Sequence, residues 1–256
     1  ILAITFTNKA ANELKERLVN NLGDAGDEIW ASTFHSCCVR MLRKFCDRIG
    51  FSNHFTIYDT DDSKRLMKEC QRQLNIDEKY LSAKQILGEI SRAKDCLIDT
   101  EEYSENVGSD MRRIDIAKAY AKYQQLLKEA DAMDFDDIIF NTVKLLEKDR
   151  EVLDYYRNRF RYIMVDEYQD TNHAQYVLVS LLAGGHNNLC VVGDDDQSIY
   201  SFRGATIENI LSFEEQFGNA LVIRLEENYR STSTILNAAN IDDIIGIVHL
   251  KDVIRF

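Results

Sequence analysis

Two adjacent carboxylates close a short apolar run at Ile163-Met-Val-Asp166-Glu167. If that run is a strand of an open α/β sheet, its carboxyl end is where ligands bind. Phosphoryl transfer from a nucleotide needs one carboxylate to hold a magnesium ion, directly or through water. It needs a second group to orient or deprotonate the attacking water. Asp166 and Glu167 can divide those roles. The competing reading of so short a string is an acidic helix N-terminus, which the helix dipole favours.

Downstream segments supply more of the same chemistry. Asp166-Glu-Tyr-Gln-Asp-Thr171 is succeeded, after another apolar run, by Val192-Gly-Asp-Asp-Asp-Gln-Ser-Ile-Tyr-Ser-Phe-Arg-Gly204, so a second strand end delivers Gln197 and Arg203 towards the same edge. Gln197 can donate or accept a hydrogen bond, which suits a sensor of a terminal phosphate or of the attacking water, and Arg203 offers a planar fork for phosphate or carboxylate. A polar loop capping the sheet is the plainer account of both. Leu225-Glu-Glu-Asn-Tyr-Arg-Ser-Thr232 sets Arg230 at a helix start after a further strand, again suited to phosphate, although a lone arginine there fits a surface ion pair as well.

The elements that must position these groups are legible from periodicity. β-rich runs at 1–5, 29–33, 162–165, 189–192 and 221–225 are each succeeded by an amphipathic helical pattern, the alternation of a parallel α/β sheet. Ala10, Leu14 and Leu18 mark one helix, and Val39, Leu42, Phe45 and Ile49 mark another; both are expected to pack on the sheet. Between about Asp59 and Lys128 strand signals vanish and the composition is helical, which predicts an all-helical insertion. The last sixteen residues read as a strand-like run leading to a short helix.

Composition bounds the function. The 256 residues carry a net charge of -12, which excludes a protein that coats nucleic acid through bulk charge; any such contact must be a local patch. Residues 1–58 are close to neutral and are the least acidic part of the chain. The six cysteines form no CxxC pair, so neither a zinc site nor a disulfide framework is indicated, and reduced thiols in a cytoplasmic protein fit best. No apolar run is long enough to span a membrane. Ile1-Leu-Ala-Ile4 has neither an initiator Met nor a basic segment with a cleavage site, so the chain is expected to begin inside a fold.

As a set, the segments resemble the motifs of the superfamily 1 UvrD/PcrA/Rep family of DNA helicases, in that family's order. Thr5-Phe-Thr-Asn-Lys-Ala-Ala11 is similar to motif Ia, Thr33-Phe-His35 to motif Ib, and Asp134-Phe-Asp-Asp137 to the short motif before motif II. DEYQDT is similar to motif II, GDDDQSIYSFRGA to motif III and ENYRST to motif IV, and the resemblance runs through Asn240. It implies a RecA-like P-loop NTPase fold, α/β with a parallel sheet, incomplete here, and an inserted all-helical subdomain. The expected divisions are 1–58 and 131–240 for the RecA-like domain and 59–130 for the insertion, with 241–256 a divergent tail or junction.

The resemblance also implies roles. Asp166 would hold Mg²⁺, Glu167 would be the catalytic base for ATP hydrolysis, and Gln197 would couple the γ-phosphate to DNA binding. Arg230 would contact the γ-phosphate and Tyr229 would stack on adenine. Single-stranded DNA would touch Phe6, Thr7 and Asn8, then Thr33 and His35, then Tyr200, Phe202 and Arg203; aromatics suit this because every base has a π-face. Phe202 departs from the family, where Trp is common, so stacking is expected with a smaller ring.

The implied activity is that of a 3'-to-5' DNA helicase in repair or replication, coupling Mg-ATP hydrolysis to movement on single-stranded DNA. DNA duplex junctions and repair or replication proteins would be its partners, and no membrane. The sequence holds no G-x-x-x-x-G-K-[ST] loop, and no Gly is followed by Lys. Motifs V and VI of the second RecA-like domain are missing as well, so this polypeptide alone is expected neither to hydrolyse ATP nor to unwind DNA. The helicase part of a helicase-nuclease, and a degenerate module that only binds DNA or a protein, are the alternatives.

Overall fold

The apolar β-branched runs and capped amphipathic segments fold in the order they are written. In the computed structural model, β1 (Leu2–Thr5) leads to α1 (Asn8–Leu22), α2 (Asp24–Asp27), β2 (Trp30–Thr33), α3 (Phe34–Phe45) and a 3₁₀ turn at Cys46–Ile49. Next are β3 (Thr56–Ile57), α4 (Thr60–Leu74), α5 (Ala83–Asp95), α6 (Thr100–Glu105), α7 (Met111–Glu129), β4 (Ala132–Met133), α8 (Phe135–Lys148) and α9 (Arg150–Arg159). Then come β5 (Ile163–Val165), a 3₁₀ turn at Tyr168–Asp170, α10 (His173–Ala183), β6 (Leu189–Val191), β7 (Val222–Leu225) and β8 (Asp252–Arg255). The structure describes residues 1–194, 213, 217, 220–225 and 252–255. These form two compact units, 1–34 with 153–256, and 35–152.

The first unit is built on a sheet of order β2-β1-β5-β6-β8-β7. β1, β2, β5 and β6 are parallel, with Ile4 opposite Ser32 and Val165, and Val165 opposite Val191. All four residues of β1 are buried, as a central parallel strand requires. One expectation is corrected at the far edge. β7 runs in the same direction as the other four expected strands, but it pairs with none of them: β8 lies between it and β6 and is antiparallel to both. β8 lies where a short terminal helix is expected; Val253 and Ile254 are β-branched and better suited to extended backbone.

α1 starts at a Thr7 cap whose hydroxyl accepts from the Ala10 N–H at 3.1 Å. Its apolar positions Ala10, Leu14 and Leu18 are only half-buried, so the helix is less deeply packed than its spacing predicts. Gly26, in α2, lies so close to α1 that a Cβ would fall 2.6 Å from the Leu18 carbonyl. No side chain fits there.

The second unit is helical. Asp59, Ser82, Asp99, Asp110 and Asp134 each cap a helix through a side-chain oxygen. Met67, Ile86, Ile90, Tyr120, Tyr123 and Leu127 form the centre of its core. The segment 59–130 lies inside this unit, which extends to either side of it. Ties across the base of the helices account for the extension. Lys128 Nζ sits 3.5 Å from the Phe51 ring centroid and donates to the Ile49 carbonyl, Ser52 N donates to Asp131, and β3 pairs with β4. α3 buries a face that differs from the expected one. Its buried stripe is Cys37, Cys38, Met41 and Leu42, with Cys38 beside Thr142 of α8 in this unit, while Val39, Phe45 and Ile49 are half-buried.

Candidate active site

Parallel pairing gathers the strand ends of the first unit at one edge, and the backbone ladder continues past the strands into the turns beyond them. Asp166 N donates to the Ile4 carbonyl at 3.0 Å, Val192 N to Val165 at 2.8 Å and Tyr168 N to Val192 at 2.9 Å. The Tyr168 side chain is buried, which anchors the turn to the core. Asp166 and Glu167 are exposed at this edge. Asp166 Oδ1 accepts from the Glu167 N–H at 3.1 Å. Glu167 adopts left-handed backbone, φ 52° and ψ 42°, which costs a non-glycine residue on the order of 1 to 2 kcal/mol.

The residues just after Glu167 are more buried than Glu167 itself. Gln169 is 1% exposed; its Nε2 donates to Glu167 Oε2 at 2.8 Å and its Oε1 accepts from the Asp194 N–H at 2.9 Å. One oxygen of Asp170, Oδ1, is buried with no hydrogen-bond partner among the described residues. Burial and the Glu167 charge push that carboxyl up to about 6.

Hard carboxylate oxygens at an open strand end fit magnesium, which takes one or two carboxylates and completes its shell with water and phosphate oxygens. Among the described residues no group of three or more His, Cys, Asp or Glu is arranged to hold a metal ion. A glycine-rich loop with its lysine, the usual cradle for phosphates, is absent from the sequence.

The residues expected to meet single-stranded DNA divide between the units. In the first, Thr5 and Thr33 are paired at the ends of β1 and β2, so Phe6, Thr7 and Asn8 leave the sheet at the same edge as the carboxylates. Thr7 and Asn8 are exposed, and Thr33 is buried. Phe6 is half-buried, edge-on to the buried Phe34 at 5.5 Å between centroids, so part of its ring is committed to packing. In the second unit His35 stacks on Phe135 at 3.9 Å and 22°. Burial lowers the His35 pKa to about 4, so the imidazole is neutral at pH 7.

Phe135 is not singled out by sequence reasoning. It is 57% exposed at the first position of α8 and lies within the Asp134-Phe-Asp-Asp137 string, whose acids are the more conspicuous residues. Two of those acids, Asp134 and Asp137, are inward. Asp134 and Asp137 form a reciprocal capping box, and Lys94 of α5 meets both, at 2.8 and 2.9 Å. Gln169 also escapes sequence reasoning; its one signal is a carboxamide two residues from a candidate base. Gln197, Tyr200, Phe202, Arg203, Tyr229 and Arg230 lie outside the described residues.

A mostly parallel sheet with an exposed carboxylate pair at its carboxyl edge places the chain among the open α/β proteins, whose ligands bind at that edge. Comparison narrows the class. The profile of the UvrD/REP helicase N-terminal domain matches residues 1–218, and the chain belongs to that family. It is 53% identical over 240 residues to the ATP-dependent DNA helicase PcrA of Bacillus subtilis (strain 168), covering 94% of this chain and 32% of that protein. It is equally similar to the PcrA of Staphylococcus aureus (strain Mu50), at 53% identity over 94% of this chain and 33% of that protein. The chain therefore spans about a third of the length of the curated relatives it matches. The fold agrees with the RecA-like sheet and helical insertion that the motifs imply. No described helix is long and apolar enough to cross a membrane.

Proposed function

We propose that this chain is the motif Ia to motif IV portion of an ATP-dependent 3'-to-5' DNA helicase, with nucleotide handled at the carboxyl edge of the β1-β5-β6 sheet. The observation that carries this reading is the Asp166-Glu167 pair, exposed where β5 ends and pinned by the ladder to β1 and β6. Asp166 would hold magnesium through its water shell. The ion, when bound, would neutralise charge on the phosphates. Glu167 accepts hydrogen bonds only and is open to solvent, so it can take a proton from an attacking water. Gln197, Arg230 and Tyr229 would complete the nucleotide contacts; Tyr200, Phe202 and Arg203 would serve single-stranded DNA.

The nucleic-acid side of the reading rests on Thr7 and Asn8 at the sheet edge and, separately, on the His35–Phe135 stack. A solvent-facing ring whose other face is fixed by a neutral imidazole is a stacking platform for a base. The substrate would be single-stranded DNA next to a duplex junction, in cytoplasmic repair or replication.

The test is DNA-stimulated ATP hydrolysis by the longer protein in which this chain works. Glu167→Gln is expected to lower kcat by at least about a hundredfold, in keeping with the loss of a general base, while single-stranded DNA binding persists. Hydrolysis unaffected by Glu167→Gln and Asp166→Asn would overturn the assignment. The isolated chain is expected to show no hydrolysis.

A further inference from the structure

Among the described residues Gln169 is the buried side chain that reaches the proposed base, and both ends of its carboxamide are spoken for. Its partners fix which way the amide faces. The Asp194 N–H is a donor, so only Oε1 can meet it, and the NH₂ is thereby turned to Glu167, whose carboxylate only accepts. A flipped amide would oppose donor to donor at one end and acceptor to acceptor at the other. The two partners sit at the ends of two neighbouring strands, β5 and β6, and Asp194 begins the Asp194-Asp-Asp-Gln197 run. Gln169 is thus a brace of fixed polarity between the base and the start of the motif III segment.

The rest of the local structure supports a role beyond filling space. Glu167 stands in a left-handed conformation and is exposed, and its side chain has three rotatable bonds whose freedom exposure leaves intact. The Gln169 bond restricts that freedom. A glutamate at 169 would set carboxylate against carboxylate, and an aliphatic residue would take from the Asp194 N–H its side-chain acceptor.

We infer that Gln169 is a positioning residue: it holds the Glu167 carboxylate in one rotamer and ties it to the strand end that leads to Gln197. This rests on the proposed function, because Glu167 must be the base for its placement to matter. The expected kinetic signature is a fall in kcat with the affinity for nucleotide preserved, since misplacing a reacting group costs rate and leaves uniform binding alone.

The experiment compares steady-state ATP hydrolysis of the longer protein and its Gln169→Met, Gln169→Glu, Glu167→Gln and Glu167→Gln/Gln169→Met variants, with single-stranded DNA saturating. Gln169→Met is expected to lower kcat about ten- to a hundredfold with KM for ATP within about twofold. Gln169→Glu keeps the acceptor toward Asp194 and loses the donor toward Glu167; it covers the case in which the methionine variant does not fold, and the same fall in kcat is expected. On the Glu167→Gln background Gln169→Met is expected to lower the residual rate no further, because a residue that acts through the base has nothing left to position. A kcat within about twofold of the parent in Gln169→Glu overturns the inference. So does an undiminished effect of Gln169→Met on the Glu167→Gln background, which a merely structural role predicts. If Glu167→Gln itself leaves hydrolysis intact, the proposed function fails and this inference falls with it.

Discussion

Two acidic clusters stand just after short apolar runs in this chain, and they do opposite things. Asp134 and Asp137 point inward. Lys94 Nζ bridges them, Asp134 Oδ1 accepts from the Asp137 N–H at 2.8 Å, Asp137 Oδ2 accepts from the Asp134 N–H at 3.1 Å, and Gln124 donates to Asp137 Oδ1 at 3.2 Å. Every oxygen is occupied, and the three charged residues are 0 to 5% exposed. Asp166 and Glu167 face solvent at a strand end, and the bond that Gln169 makes to Glu167 comes from a neutral amide. The difference is between charge consumed by the fold and charge left for a ligand. Residue type and spacing do not separate the two; burial and pairing do.

The comparison breaks most sharply at Lys94. Burial opposes its charge, but Asp134 and Asp137 raise its pKa overall, so the ammonium is held at any accessible pH. Lys94→Met leaves buried carboxylates uncompensated and is expected to destabilise the chain by about 3 to 5 kcal/mol in urea unfolding. Asp166→Asn and Glu167→Gln, at exposed positions, are expected to stay within about 0.5 kcal/mol. Equal effects at the two clusters would mean that they are not different in kind. The inner cluster also carries a pH signature. Burial and the proximity of Asp134 push Asp137 up to about 7, above its unfolded value. Stability from that group is present at low pH and is lost as pH rises through about 7; Asp137→Asn is expected to flatten this limb.

His35 gives the opposite slope. Burial lowers its pKa from 6.5 to about 4, so the unfolded chain binds more protons in that interval. Stability is expected to fall as pH drops from about 6.5 towards 4, by at most about 3 kcal/mol, and to level off below. Titration of the His35 ring by NMR reads this directly. A midpoint near 6.5 would show the ring free of Phe135, and with it the stacking platform lost. If the platform serves a base, Phe135→Ala is expected to weaken single-stranded DNA binding by about 1 to 3 kcal/mol, measured by fluorescence anisotropy at fixed salt. An unchanged affinity would leave the His35–Phe135 pair a packing feature, like the inner acids beside it.

Much of this is legible in the residues alone. The five β-rich runs are all strands within a residue or so, because apolar β-branched stretches flanked by capped helices leave little choice. The features that escape are pairings between distant segments. Nothing local to Lys94 says that it will be buried against residues forty positions away, and its burial reverses the meaning of Asp134 and Asp137. β8, the antiparallel strand between β6 and β7, is missed because the tail's composition disguises it. Phe135 is hidden by its neighbours: the helix start takes Asp134 and Asp137 inward as a reciprocal cap and leaves Phe135 outward. Gln169 is missed because a glutamine's role is set by both of its ends, and only the fold shows what each end meets.

The smallest effect tests a residue with two readings at once. Thr7 caps α1 through the bond from Ala10 N, and it is also exposed at the edge where DNA is expected. Thr7→Ala removes the hydroxyl and is expected to cost about 1 kcal/mol of stability. Thr7→Asp keeps a capping oxygen and restores that stability, the more so because a carboxylate suits a helix N-terminus. The same carboxylate would repel a phosphodiester, so Thr7→Asp is expected to bind single-stranded DNA more weakly than Thr7→Ala while being the more stable of the two. Opposite orders for stability and affinity place DNA at this strand end, whereas a parallel order would make Thr7 a helix cap and leave the open edge to the nucleotide alone.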